Sequence, residues 1–163
     1  MARVVLVGCG CRGTALAAAL MAEGHAVRAS TRRTDWARAL SERGIDARVG
    51  DPDRVATLTP LLEHAGVLCL LLGSAEGAPE ALADLHGSRL DMLLLRALDS
   101  TVHGIVYEAA GSVDGAVLAA GAERVRRFCE TSHIPYAFVA SDPERFEEWL
   151  ADGVAAVSRV LEG

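Results

Sequence analysis

Lysine is missing from this chain: all 16 of its basic residues are arginine. That excludes every mechanism built on a lysine amine. Long apolar runs are missing as well. Val67–Leu72 is continuously apolar but falls far short of the roughly 20 residues that cross a bilayer. The opening Met1-Ala2-Arg3-Val4-Val5-Leu6-Val7 runs straight into Gly8 with no apolar leader and cleavage site, so a soluble, cytoplasmic product is expected. Cysteine is sparse, four in 163 residues, too few for a disulfide scaffold. Positive charge is in deficit, 16 basic against 22 acidic residues for a net −6. This argues against nucleic acid or an anionic membrane as partner. Apolar residues are plentiful at 51%, more than a disordered chain carries. The length suits one domain, residues 1–163, with a full-sized core.

Apolar runs alternate with helical patterns along the whole length. Strands are predicted over Val4–Val7, Ala26–Ser30, Ile45–Val49, Val67–Leu72, Ile105–Ala109 and Tyr136–Ala140. Helices are predicted over Gly13–Glu23, Asp35–Arg43 with Thr34 as N-cap, Arg89–Leu98, Ala116–Glu130 and Glu144–Leu161. The last of these carries a potential break at Gly153. Asp53–Ala65 reads as two short helical pieces split by Pro60, and Gly73–Pro79 as a loop. Alternation of this kind implies parallel strands with right-handed crossovers. The expected fold is therefore α/β, a three-layer, doubly wound parallel sheet of about six strands of the Rossmann type.

Gly8-Cys9-Gly10-Cys11-Arg12-Gly13 spells G-x-G-x-x-G after the first strand and at the start of an alanine-rich helix. Gly8 permits the tight turn, Gly10 lets backbone approach a pyrophosphate, and Gly13 lets the helix pack on the strand. The helix start adds free N–H groups and partial positive charge, with Cys11 and Arg12 beside them. A merely structural glycine turn is the alternative. An NAD site would place an acidic residue at the end of strand two; here stand Ser30-Thr31-Arg32-Arg33. Two guanidiniums beside hydroxyls suit a 2′-phosphate, so NADP(H) is favoured over NAD(H), and a solvated arginine pair is the bland reading. The absence of acid there also speaks against a methyltransferase. Asp51 can accept from an adenine amino group or simply make the turn before Pro52. Gly73 and Ser74, after strand four, are small enough for a cofactor to approach their backbone.

The run Val4–Arg33 resembles the short-chain dehydrogenase/reductase superfamily, most closely its atypical and extended epimerase/dehydratase-like and NmrA-like members. The glycine loop carries the resemblance, together with Gly24-His25-Ala26-Val27-Arg28, Arg32-Arg33 and Gly50-Asp51-Pro52, then more faintly Gly104-Ile105-Val106-Tyr107 and Ala122-Glu123. The resemblance implies a nicotinamide dinucleotide and reductase or epimerase chemistry by a Tyr-x-x-x-Lys pair. Those two positions fall near Val117 and Gly121, and the preceding serines near Ala109-Ala110, so the catalytic set is not there. The family's C-terminal substrate region is expected to be absent or reduced to the last helix. A non-catalytic NADP(H) sensor or regulatory protein is the alternative function.

Catalytic residues are unassigned. Tyr107 and Glu108 close strand five and Ser112 follows Gly111. Glu108 would serve as a base if buried, Tyr107 would pack in the sheet, and Ser112 would bond a substrate or make a turn. Ser141 and Asp142 are expected to cap the closing helix. Cys9 and Cys11 lack the second pair that a zinc site needs, so no metal is expected; redox sensitivity at Cys11 is an open alternative. The five histidines read as surface or turn residues. On Arg89–Leu98, Leu90, Leu94 and Leu98 form one stripe and Met92 and Leu95 face away, a surface on which a homodimer could form.

Overall fold

Val4, Val5, Leu6 and Val7 are all fully buried, a strand covered on both faces as in the middle of a parallel sheet. In the computed structural model, which describes residues 1–163, that strand is β1 (Arg3–Val7). It is followed by α1 (Cys11–Ala22), β2 (Ala26–Thr31), α2 (Thr34–Glu42), β3 (Asp46–Val49) and β4 (Val67–Leu70). Then come α3 (Pro79–Leu85), α4 (Ser88–Leu98), β5 (Gly104–Glu108), α5 (Gly115–Ser132), β6 (Tyr136–Val139) and α6 (Phe146–Glu162). All six strands pair in parallel in the order β3-β2-β1-β4-β5-β6. The expected three-layer doubly wound sheet is thus observed. Chain progression reverses between β1 and β4, the position where such sheets open a crevice beyond the strand carboxyl ends. No helix is long and apolar enough to cross a membrane.

The pleat of β1 divides the core. Val4 and Leu6 meet α1 and α6 through Leu16, Leu20, Trp149 and Val157. Val5 and Val7 face the opposite layer, where Leu58, Leu61, Leu90, Leu94 and Val125 pack. Buried Arg28 ties β2 to its surroundings. Its Nε donates to Asp46 Oδ2 at 2.9 Å, and one terminal nitrogen donates to the Leu61 and Glu63 carbonyls at 2.8 and 3.0 Å.

Local differences from the sequence reading have physical causes. The segment around Pro60 forms two 3-10 turns, Val55–Thr57 and Thr59–Leu62, because the proline ring suits a first turn but ends a longer helix. Helix α3 starts at Pro79, the last residue of the expected loop, and runs through a stretch to which the sequence reading gave no element. Helix α6 is unbroken at Gly153. A Cβ there would lie 3.1 Å from Leu16 Cδ1, so this glycine lets α6 sit closely on α1. On α4 the buried residues are Leu90, Leu93, Leu94 and Ala97, while Leu98 joins Met92 and Leu95 in solvent. Arg33 rather than Thr34 is the N-cap position of α2. Arg145, not Ser141 or Asp142, takes that position for α6; Ser141 instead donates to Asp152 at 3.0 Å.

Candidate functional site

Gly8 takes a left-handed φ of +88°, and a Cβ on it would stand 2.6 Å from the Leu71 carbonyl oxygen. Glycine is therefore required where β1 turns past β4. At Gly13 a Cβ would reach 3.2 Å from Cys9 Sγ, the close packing of α1 on the strand end. Gly10 is open, with nothing within 4 Å of its absent side chain. It is the N-cap of α1, and no side chain caps the first-turn N–H groups of that helix. Beside the loop, Trp36 Nε1 donates to the Cys9 carbonyl at 2.8 Å, and Thr14 Oγ1 to that of Gly10 at 2.8 Å.

A cleft of about 530 Å³ opens over this loop. Its volume is in the range of cofactor sites. Gly8, Gly10, Cys11, Arg12 and Gly13 floor it; Thr31, Arg32, Arg33 and Trp36 line one end, and Ser74, Glu108 and Trp149 the other. Asp51 and Gly73, also singled out in the sequence, do not line it. The Asp51 carboxylate accepts the Asp53 N–H at 2.9 Å, which makes the turn and puts Asp53, not Asp51, on the cleft wall. The Gly73 N–H donates to Glu108 Oε1 at 2.8 Å, and a Cβ on Gly73 would meet the Ala110 carbonyl oxygen at 2.1 Å.

The Arg32–Arg33 end is exposed and ion-paired. Arg33 grips both oxygens of Asp35, at 3.2 and 2.6 Å, which raises the guanidinium pKa and lowers that of the carboxylate. Arg32 Nη1 stands 4.0 Å from Asp53 Oδ2. Thr31 Oγ1 accepts the Arg33 N–H at 3.2 Å.

The β5 end is buried. Glu108 is 4% exposed; its second oxygen accepts Trp149 Nε1–H at 2.6 Å from α6. Burial raises its pKa, opposed by the two N–H donors and the nearby Arg12 charge. Tyr107 points to the other face of the sheet. Its hydroxyl lies 2.6 Å from His86 Nδ1, while His86 Nε2 lies 3.0 Å from the Leu72 carbonyl. A carbonyl only accepts, so Nε2 carries the proton and the Tyr107 hydroxyl donates to Nδ1. Burial raises the Tyr107 pKa and lowers that of His86. His86 is 2% exposed, which corrects its reading as a surface residue. The Tyr107 oxygen sits 2.0 Å from where a Cβ on Gly121 would be. The side-chain space at that helix position is thus taken by the tyrosine.

Ser112 is exposed, and its N–H donates to Ser74 Oγ at 3.3 Å; the hydroxyl itself bonds nothing in the chain. Cys9 is buried, with its thiol pushed up to about 11, and Cys11 is exposed. No three metal-ligating side chains gather anywhere. The sequence reading missed Trp36, Asp53, His86 and Trp149. Of these only Trp36 carried a local signal, an indole four positions after Arg32 on the helix leaving β2.

No family model matches the chain, and no curated protein does. Solved structures do. The NADP(H) complex of a Citrobacter sp. triphenylmethane reductase is 22% identical, with a TM-score of 0.66 over 85% of this chain and 49% of its own. An Escherichia coli NADPH-dependent quinone oxidoreductase is 22% identical, with a TM-score of 0.60 over 85% and 46%. A UDP-galactose 4-epimerase is 16% identical, with a TM-score of 0.71 over 83% and 54%. At these identities the likeness is one of fold. The chain spans about half the length of each of these structures.

Proposed function

We propose that the cleft binds a nicotinamide dinucleotide, NADP(H) ahead of NAD(H), and that the protein is an atypical member of the short-chain dehydrogenase/reductase superfamily. In this reading it acts as a small NADPH-linked oxidoreductase or epimerase-like enzyme without the usual Tyr/Lys pair. One observation carries the proposal: the open Gly10 and the uncapped start of α1 face the same cleft as Arg32. The N–H groups of Cys11, Arg12 and Gly13 would take the pyrophosphate. Thr31, Arg32 and Arg33 would meet the adenosine phosphate, and Ser74 would border the middle of the ligand. The nicotinamide, when bound, supplies or accepts hydride. At that end Glu108 is the buried acid that could hold a proton, positioned by Gly73 and Trp149. Calorimetry with NADPH, NADH and S-adenosylmethionine tests the reading. NADPH is expected to bind most tightly and S-adenosylmethionine not at all; preferential binding of the latter would overturn it.

A second reading, a non-catalytic NADP(H) sensor, is favoured by the placement of Tyr107 on the far face and by the engagement of both Glu108 oxygens. Turnover of NADPH against a panel of carbonyl compounds separates the two: tight binding without turnover supports the sensor. The exposed Met92, Leu95 and Leu98 on α4 would seat a second copy, and light scattering of the protein and of Leu95→Asp checks this.

A further inference from the structure

Each of the two arginines at the Arg32–Arg33 end of the cleft stands beside a carboxylate, Arg32 by Asp53 and Arg33 by Asp35. The two pairs are not alike. Arg33 is already engaged: its Nε and a terminal nitrogen bond the two Asp35 oxygens, which leaves a phosphate only the other edge of the guanidinium. Arg32 makes no hydrogen bond within the protein and only faces Asp53, 4.0 Å away, at the outer limit of an ion pair. Its donors are free, while its charge is opposed.

Asp53 is held in this position by local chemistry. Asp51 Oδ1 accepts the Asp53 N–H at 2.9 Å, and the Asp51 N–H donates to Thr57 Oγ1 at 2.8 Å. The turn is thereby fixed, and the Asp53 side chain is set on the cleft wall beside Arg32.

We infer that Asp53 is the residue that sets cofactor selectivity, by competing with a ligand phosphate for Arg32 while itself offering an acceptor to a ribose hydroxyl. The inference rests on the dinucleotide reading given above. A dianionic 2′-phosphate arriving at Arg32 must sit close to the Asp53 carboxylate. That repulsion cancels part of the arginine attraction, whereas an unphosphorylated ribose hydroxyl can donate to Asp53. The wild-type preference for NADPH over NADH is therefore modest, and one neutral substitution sharpens it.

Dissociation constants for NADPH and NADH are measured by calorimetry on the full chain and on Asp53→Asn, Arg32→Ala and the double variant. In Asp53→Asn the preference for NADPH is expected to rise about tenfold, less at high salt because both charges are exposed. In Arg32→Ala the preference falls, and adding Asp53→Asn to Arg32→Ala raises it by less than Asp53→Asn does alone, because only the direct repulsion and the ribose contact are left to remove. Asp53→Ser, which also keeps the backbone N–H on Asp51, provides the same comparison should the asparagine fail to fold. If both dinucleotides bind and their ratio does not move in either Asp53 variant, the role of Asp53 is refuted while the cofactor reading stands. If neither dinucleotide binds the wild-type chain, the cofactor reading fails and this inference goes with it.

Discussion

The two ends of the cleft are built in opposite ways. At the Arg32 end the charged groups are exposed or half-exposed: Arg33 pairs with Asp35 two residues on, and Arg32 faces Asp53 from the loop that follows β3. At the Glu108 end a carboxylate is sealed between the Gly73 N–H and the Trp149 indole, groups brought from a loop and from the last helix. Exposed ion pairs contribute little to stability, so the first end is free to be tuned for a ligand. A buried carboxylate is tolerated only while its partners are in place, so the second end is tied to the integrity of the fold.

The comparison breaks most sharply at Gly73. Its Cβ would meet the Ala110 carbonyl oxygen at 2.1 Å, and on the other side Gly111, at φ +151°, would bring its own Cβ to 2.0 Å from the Gly73 oxygen. Neither backbone can give way without separating β4 from β5. Gly73→Ala is expected to cost about 3 kcal/mol or more, visible as a fall of roughly 6–12 °C in the unfolding midpoint.

Glu108→Gln comes next. An amide keeps one acceptor oxygen, so either the Gly73 N–H or the Trp149 N–H must face an NH2 group. The expected loss is about 1–3 kcal/mol in urea unfolding, with the indole fluorescence altered. An unchanged midpoint would mean that the carboxylate is not the clamp described.

His86 sharpens the contrast through pH. Its folded pKa lies below the ordinary 6.5, so the unfolded chain takes up the proton first. The contribution of His86 is complete above pH 6.5 and is lost as pH falls below it. Glu108 works in the opposite sense: its pKa is raised above the ordinary 4.5, so acidification relieves its burial. Thermal scans from pH 7.5 to 5 should show a decline that is steeper in Glu108→Gln and shallower in His86→Phe. The smallest effect is expected from Arg33→Ala, which should leave the unfolding midpoint unmoved because both members of that pair are exposed.

Sequence and structure agree where a signal is local. The glycine spacing, the buried runs of β1 and β4 and the succession of strands and helices along the chain all follow from period and from residues adjacent in the chain. Helix α3 escaped because seven residues give scarcely two turns of pattern, and alanine and proline around it also suit a loop. The Glu108–Trp149 bond joins residues 41 apart, and no periodicity encodes such a meeting. His86 sits between Leu85 and Gly87, where a helix end looks like surface. Only the packing of α3 against β5 shows that it is interior. Asp51 and Asp53 look interchangeable in sequence, and one backbone hydrogen bond decides which of them faces the cleft.

Helix α6 lies on α1 through Gly153 and Leu16, and it delivers Trp149 to the wall of a cleft whose floor is formed by the first turn of α1. During synthesis the floor would therefore leave the ribosome long before its wall. A nascent chain halted ahead of Trp149 would carry a glycine loop beside a carboxylate that has lost one of its two donors, and the dinucleotide binding proposed above should emerge only once α6 has cleared the exit tunnel.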